Sequence, residues 1–327
     1  MYLITGGAGF IGSNIAKALC ELGHDVVIVD TLGTDNIKWK NVARLPLDRI
    51  VHPNDISNFL ESRPNLTGIV HMGAISATTA VDGDEIVRNN FDLSRSLWEY
   101  CTKEQIPFIY ASSAATYGDG NLGFDDTNDL KLMQTLRPLN LYGWSKQWFD
   151  IWVLRQLEKK SSTPPQWAGL KFFNVYGPRE LHKGDMMSIV SKNYGLCSVG
   201  KEVKLFKSHH PDYTDGGQLR DFVYVKDCVD VALWMLKQKN TSGIYNVGSG
   251  KARSFKDLIG AAFNAADHEP NIKYIDMPEH LRGRYQYFTE ANLDNLRAVG
   301  FNNPMTGLEE GVKDLMQSYL MTDYPQG

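Results

Sequence analysis

Along the first half of the chain, short apolar runs alternate with longer stretches whose apolar residues recur every three or four positions. Tyr2 to Thr5 reads as a buried strand. Ile11 to Leu22 carries the helical period and stops near Gly23. Asp25 to Val29, Gly68 to His71, Pro107 to Ala111 and Leu170 to Asn174 read as further strands. Asp84 to Glu104 and Asn140 to Lys160 read as helices between them. Strands that are apolar throughout suit a sheet covered on both faces. Strand–helix alternation predicts an α/β fold with a doubly wound parallel sheet and right-handed crossovers.

After Tyr176-Gly177-Pro178-Arg179 the pattern loosens. Helical stretches near Asp185 to Leu196 and Val225 to Leu236 are separated by turn-rich segments. One of these, Lys207 to Gln218, is polar, carries Pro211, Gly216 and Gly217, and is expected to form a loop at or near a binding surface. Ser161-Ser162-Thr163-Pro164-Pro165 reads as an exposed linker before a strand.

Composition narrows the partners. With 327 residues, of which 43% are hydrophobic, the chain can bury a large core and suggests two subdomains, or one domain with an appendage. A net charge of -4 with scattered Lys and Arg favours neither nucleic acid nor a membrane surface. No apolar run reaches the length of a membrane span, and Met1-Tyr2-Leu3-Ile4-Thr5 enters a strand without a basic leader, so a cytoplasmic protein is expected. Cys20, Cys101, Cys197 and Cys228 lie far apart and form no C-x-x-C pair; neither a disulfide framework nor a metal site is expected.

Thr5-Gly6-Gly7-Ala8-Gly9-Phe10-Ile11-Gly12 follows a predicted strand and opens a predicted helix. In that context Gly6 serves the tight turn, Gly9 lets the backbone approach a pyrophosphate, and Gly12 lets helix and strand pack closely. The helix start offers N–H groups and a positive dipole end to phosphates. Asp30, at the end of the next strand, is placed to accept from ribose hydroxyls. This is the dinucleotide fingerprint of a Rossmann sheet; a bare glycine-rich turn would lack the strand, the helix and the acid. Asp30 argues for NAD, whereas Lys38 and Lys40 can neutralise the extra phosphate of NADP, so the residues leave that choice open.

Tyr142 and Lys146 stand four apart on a predicted helix and share one face. A phenol is a poor base at neutral pH, and an adjacent ammonium lowers its pKa. It can then take a proton from a hydroxyl while hydride leaves for a nicotinamide. Alone, such a pair is commonplace on helix surfaces. Ala111-Ser112-Ser113-Ala114-Ala115-Thr116-Tyr117-Gly118 adds weight. It begins at the carboxyl end of a predicted parallel strand, where open α/β sheets bind ligands, and Ser113 can hydrogen-bond the reacting oxygen.

These three elements resemble the extended short-chain dehydrogenase/reductase superfamily over essentially the whole chain. More specific segments are His71-Met72-Gly73-Ala74-Ile75-Ser76-Ala77-Thr78-Thr79, Phe173 to Gly184, Arg220-Asp221-Phe222-Val223-Tyr224-Val225 and Gly283-Arg284-Tyr285-Gln286. Together they resemble, within the NAD-dependent epimerase/dehydratase family, the ADP-L-glycero-D-manno-heptose 6-epimerases, which serve the heptose of the lipopolysaccharide inner core. The resemblance implies a dinucleotide-binding domain over 1–172, with 224–250 and about 286–306 returning to it. A smaller α/β substrate-binding domain would take 173–223, 251–285 and 307–327.

It also implies bound NADP, with NAD as the alternative, and an ADP-heptose substrate oxidised at C6 and reduced again on the other face. Tyr142 and Lys183 would be the two acid/base groups, Ser113 would support the first, and Lys146 would position the nicotinamide ribose. Around the cofactor it places Gly6, Gly9, Phe10, Ile11, Gly12, Asp30, Thr31, Lys38, Met72, Gly73, Ala74, Ile75, Ser76, Asn89, Val175 and Lys183. To substrate it assigns Ser113, Asn174, Asp185, Lys192, Phe206, Arg220 and Tyr285. Arg220 suits a diphosphate because its planar fork binds phosphate bidentately; the plainer reading is a surface salt bridge with Asp221. A homo-oligomer is expected.

The chain departs from that pattern at Asp185, where a small hydroxyl residue is usual, and at Lys192, where a histidine is usual. Lys207-Ser208 replaces an acidic–glycine pair, the loop from Ser208 to Leu219 is longer, and Met72 replaces an acid. All but Met72 fall on the nucleotide-sugar side. Another nucleotide-sugar epimerase or reductase, such as a UDP-hexose 4-epimerase, is the alternative enzyme. A dehydratase is disfavoured because Ser113-Ala114-Ala115 lacks an acidic pair. A dinucleotide-sensing protein is disfavoured because it has no use for Ser113, Tyr142 and Lys146 together.

Overall fold

The computed structural model describes residues 1–34, 36–282 and 286–325. Its strands are β1 (Tyr2–Thr5), β2 (Val26–Val29), β3 (Arg49–Val51), β4 (Gly68–His71), β5 (Phe108–Ser113), β6 (Trp167–Phe172), β7 (Asn174–Tyr176), β8 (Val203–Phe206), β9 (Leu219–Tyr224), β10 (Gly243–Val247), β11 (Ala252–Ser254) and β12 (Ile272–Ile275). Seven of them form one sheet in the order β10-β6-β5-β4-β1-β2-β3, parallel throughout. This is the doubly wound architecture the alternation predicts. Residues of β1, β2, β4, β5 and β6 are almost all buried, as a sheet covered on both faces requires.

The chain winds outward from β1 to β3 on one side and from β4 to β10 on the other. Strand order therefore reverses between β1 and β4, whose carboxyl ends Thr5 and His71 lie side by side. A crevice opens at such a switch point. The helices that matter for the site are α1 (Phe10–Glu21), α2 (Leu93–Glu104), α3 (Leu141–Glu158), α4 (Ile189–Cys197), α5 (Val225–Lys237) and α6 (Phe255–Ala265). The start of α3 is fixed by Asn140, whose side chain accepts from the Gly143 N–H at 2.8 Å.

A second set of elements lies beyond β6. β7 pairs in parallel with β9, which pairs antiparallel with β11, and β8 pairs in parallel with β12. Its own apolar cluster gathers Val190, Leu205, Phe222, Leu258, Val312 and Leu315. Phe10 belongs to this second cluster although it opens α1, and Ile11 and Val175 pack against both clusters. The helix start that follows the glycine loop thus sits between two cores, each fully buried Leu or Ile contributing roughly 1.5–3 kcal/mol.

Some expectations shift. The helix over 84–104 is three pieces: Gly83–Ile86, a π-helical turn Val87–Asp92, and α2. The strand expected over Leu170–Asn174 is two strands in different sheets, because the chain passes from β6 to β7 across Phe173, whose N–H bonds Val247 instead. Asp185 to Leu196 is the end of a 3-10 run Leu181–Met186, itself broken by the φ of +53° at Gly184, followed after Met187 and Ser188 by α4. In the linker Ser161 to Pro165, Pro164 is buried rather than exposed. Lys207 to Gln218 is a loop between β8 and β9. Among the described residues no helix is long and apolar enough to cross a membrane, and no group of three His, Cys, Asp or Glu residues is placed to hold a metal ion.

Candidate active site

A cleft of about 2110 Å³ runs over the carboxyl ends of β1, β2, β5 and β6 and continues between the two cores. At its first end lies the glycine loop. Gly6 adopts φ +65°, and a Cβ there would crowd the Gly73 backbone. A Cβ on Gly12 would overlap the Gly6 carbonyl oxygen. No side chain caps the start of α1, so its first-turn N–H groups remain for a ligand. This cradle fits a dinucleotide pyrophosphate.

Asp30 closes that end. Its carboxylate accepts from the Ala8 N–H at 2.9 Å and the Thr31 N–H at 2.8 Å, and pairs with Lys38 at 2.5 Å. Lys38 belongs to a 3-10 turn, Lys38–Asn41, and lines the cleft with Asp30 and Thr31; Lys40 does not.

At the centre, Ser113 ends β5 and its Oγ accepts from the Ala115 N–H at 3.1 Å. The Thr116 hydroxyl donates to the Ser113 carbonyl at 2.8 Å. Tyr142 and Lys146 project from the first turns of α3 into the same cleft. Burial raises the Tyr142 phenol, a hydrogen bond with Ser113 lowers it, and the Asp150 carboxylate raises it. Within the chain desolvation dominates at this phenol, and the lowering influence is Ser113. Burial brings Lys146 down to about 8, against the pull of Asp150. Its ammonium forms no hydrogen bond or ion pair among the described residues, and Lys146 lines the cleft.

The floor beside them is held by residues that motif reasoning passed over. Asn90, in the π-helical turn, accepts from the Ile75 N–H at 2.8 Å and donates to the Ile75 carbonyl and the Ser145 hydroxyl, each at 3.0 Å. Ser145 donates to the Tyr142 carbonyl at 2.7 Å. Met72 to Ser76 is thereby tied to the helix that bears Tyr142 and Lys146. The only sequence signal is the Asn89-Asn90 doublet, of which Asn89 lines the cleft and Asn90 is buried.

The far wall carries Asn174, Val175, Lys183, Lys192, Phe206 and Arg220. The Lys183 ammonium lies 5.0 Å over the Phe10 ring, and burial pulls it below the ordinary lysine range while Glu180 pushes it up. Arg220 is nearly buried, donates to the Leu219 and Gln286 carbonyls and lies over the Phe255 ring. Asp221 does not form the salt bridge the plainer reading supposed. Its two oxygens accept from Ser249, Gly250 and Ala291.

Among the described residues, every one expected at the site lines this cleft except Asp185. Asp185 is exposed and outside the wall, because the chain turns at Gly184. Tyr285, with Gly283 and Arg284, lies outside the described residues. Gln286 and His182, which fall in the quoted segments without an assigned role, and Thr289 also line the cleft. Gln286 donates to the Gly118 carbonyl at 3.0 Å across 168 positions of sequence, a closeness no local pattern carries.

Known proteins resemble the chain over nearly its whole length. The chain is 49% identical to the ADP-L-glycero-D-manno-heptose-6-epimerase of Nitratidesulfovibrio vulgaris (strain DP4), covering 99% of each chain. The crystal structure of the Helicobacter pylori ADP-L-glycero-D-manno-heptose-6-epimerase is similar with a TM-score of 0.78 at 30% identity, over 96% of this chain and 94% of that one. The Thermus thermophilus UDP-glucose 4-epimerase, solved in complex with NAD, has a TM-score of 0.72 at 26% identity, over 95% and 96% of the two chains. Residues 2–248 match the NAD dependent epimerase/dehydratase family, and with the cleft, the glycine cradle and the Ser113–Tyr142–Lys146 group in place the chain belongs to that family.

Proposed function

We propose that the protein interconverts ADP-D-glycero-D-manno-heptose and ADP-L-glycero-D-manno-heptose at C6, for lipopolysaccharide inner-core synthesis. The observation that carries this reading is the meeting of Ser113, Tyr142, Lys146 and Lys183 in one cleft that begins at the glycine cradle. The similarity to heptose epimerases across the whole chain supports the sugar. In this reading the seven-stranded lobe holds the cofactor and the smaller lobe holds the nucleotide sugar.

When bound, the nicotinamide dinucleotide supplies a reversible acceptor for the C6 hydride. The residues do the rest. Ser113 orients the C6 oxygen and lowers the Tyr142 phenol through their hydrogen bond. Tyr142 takes the hydroxyl proton as the carbonyl forms from one epimer, and returns it when the reaction runs in reverse. Lys146 holds ribose hydroxyls and adds positive charge beside the phenol. Lys183 donates a proton to the oxygen when hydride returns to the other face, and regains one from solvent as Tyr142 releases the proton it took. Arg220, nearly buried and lining the cleft, holds the diphosphate.

The cofactor reading is NADP. Asp30 is tied to Lys38, which places a cation beside the carboxylate that would otherwise repel a 2′-phosphate. The test of the reaction is conversion of ADP-D-glycero-D-manno-heptose to its 6-epimer followed by NMR, with Tyr142→Phe alongside. The parent should convert and carry nicotinamide; Tyr142→Phe should keep the cofactor and lose activity by roughly 10²–10⁴-fold. A parent that leaves the substrate unchanged overturns the reading.

A further inference from the structure

Lys183 must be placed to within a fraction of an ångström if it is to move a proton. Yet it stands in a short 3-10 run that breaks at Gly184. Apart from the Phe10 ring beneath it, its ammonium forms no hydrogen bond or ion pair among the described residues. Something else has to hold the segment.

Glu180 does so. It is 1% exposed, and its carboxylate is occupied by donors from the neighbouring chain. Oε1 accepts from the Ser188 hydroxyl at 2.6 Å, the Ser191 hydroxyl at 2.7 Å and the Gly177 N–H at 3.5 Å. Oε2 accepts from the Ser188 N–H at 2.8 Å. The Glu180 carbonyl also accepts from the Lys183 N–H at 2.9 Å. The loop 181–187 is thereby closed at its base, with its entry at Glu180 joined to its exit at the start of α4. Neutral groups could make such a staple with less desolvation, since burying a carboxylate is costly. The charge therefore needs a reason, and the nearby ammonium is one.

We propose that Glu180 is a positioning residue for Lys183, its carboxylate closing the loop that presents the ammonium and setting a negative charge beside it. The inference rests on the acid/base reading of Lys183 given above. Around Lys183 the titratable and charged groups are Glu180, His182 and Asp185 on its own segment, Lys192 on α4, and Tyr142 and Lys146 on α3, which share the cleft. Of these, Glu180 is the one that raises it, opposing desolvation.

The test compares Glu180→Gln, Ser191→Ala and Lys183→Ala in the full chain. Epimerase kinetics are read together with acetic anhydride labelling of Lys183 across pH, followed by mass spectrometry. Glu180→Gln should lower kcat by about 10²-fold with KM within about threefold, as expected when a reacting group is displaced but substrate still binds. It should also move the labelling midpoint of Lys183 to lower pH. Ser191→Ala keeps the charge and should lower kcat several-fold without moving that midpoint. Parental kcat in Glu180→Gln, or an unmoved midpoint, overturns the proposal. If Glu180→Gln does not fold, Ser191→Ala decides, and parental kcat there overturns it. Lys183→Ala separates the two ideas. If it epimerises normally, the acid/base reading of the site falls; if it is inactive while Glu180→Gln is normal, only the role of Glu180 falls.

Discussion

The Nζ of Lys171 lies 2.7 Å from Oδ2 of Asp150, and both side chains are fully buried. Lys171 stands opposite Ser112, the residue before Ser113, in the register of β5 and β6. Asp150 also accepts from the Ser112 hydroxyl at 2.7 Å and the Tyr110 hydroxyl at 3.0 Å, and Lys171 donates to the Thr116 hydroxyl at 2.8 Å. Thr116 in turn holds the Ser113 carbonyl. Removing one partner strands a buried charge. Lys171→Met should cost about 3–5 kcal/mol, and the double variant Lys171→Met/Asp150→Asn should be less destabilised than the two singles summed. Urea unfolding of the four proteins measures this; additive losses would show that the charges do not depend on each other.

Much of this was readable beforehand. β1, β2, β4 and β5 announce themselves as short apolar runs, and the glycine loop stands in its strand–helix context, whereas β3 does not, since Arg49 and Ile50 are exposed and only Val51 is buried. Lys171 stood in the open too, as a charge inside the apolar run Trp167 to Phe173, and Asp150 falls four residues after Lys146 on the same helical face. A charge in a buried strand calls for a partner, so this pair was available to the same reasoning. The split between β6 and β7 was not, since Phe172 and Phe173 are both apolar and no turn residue marks the change of sheet. Nor was the balance at Tyr142, because desolvation is a property of what surrounds the phenol after folding. Gln286 is joined to Gly118 across 168 positions by tertiary closeness, whereas the Glu180 staple spans at most 11 positions but needs the turn at Gly184 to bring its ends together.

Cofactor choice should turn on Lys38. Its ion pair with Asp30 is partly buried, and a charge-assisted bond to a phosphate is worth about 1.5–3 kcal/mol. Lys38→Ala should therefore weaken NADP by about 10- to 100-fold. NAD should be held as well as before or better, since Asp30 is then freed for ribose hydroxyls. Fluorescence titration of cofactor-stripped protein gives both dissociation constants. A loss shared equally by NAD and NADP would mean that Lys38 shapes the loop rather than reading the phosphate.

Acid sensitivity should trace to His71. Ser94 donates to the Asn90 carbonyl at 2.7 Å, so its oxygen accepts from Nε2–H of His71 at 2.8 Å. Nδ1 is then the bare nitrogen, and it accepts the Thr5 hydroxyl proton at 2.6 Å. The Thr5 oxygen keeps a lone pair for the Gly73 N–H at 3.0 Å. An imidazolium would set two donors against each other at Thr5 and loosen the backbone under the glycine cradle. Burial, followed by the charge of Lys146, lowers His71 to about 3. The sign follows from the unfolded chain, whose histidine takes up its proton near the ordinary value of about 6.5. Between there and about 3 the unfolded state binds the extra proton and the folded state does not. Stability is thus retained above the unfolded value and lost as pH falls through this window, by up to about 1.4 kcal/mol per pH unit. Replacing His71 by Asn removes that dependence, whatever it costs at neutral pH. The gap in unfolding free energy between parent and His71→Asn should narrow by roughly 2 kcal/mol from about pH 7 to about pH 5 in urea titrations. Parallel pH profiles for the two proteins would place the acid sensitivity elsewhere in the chain.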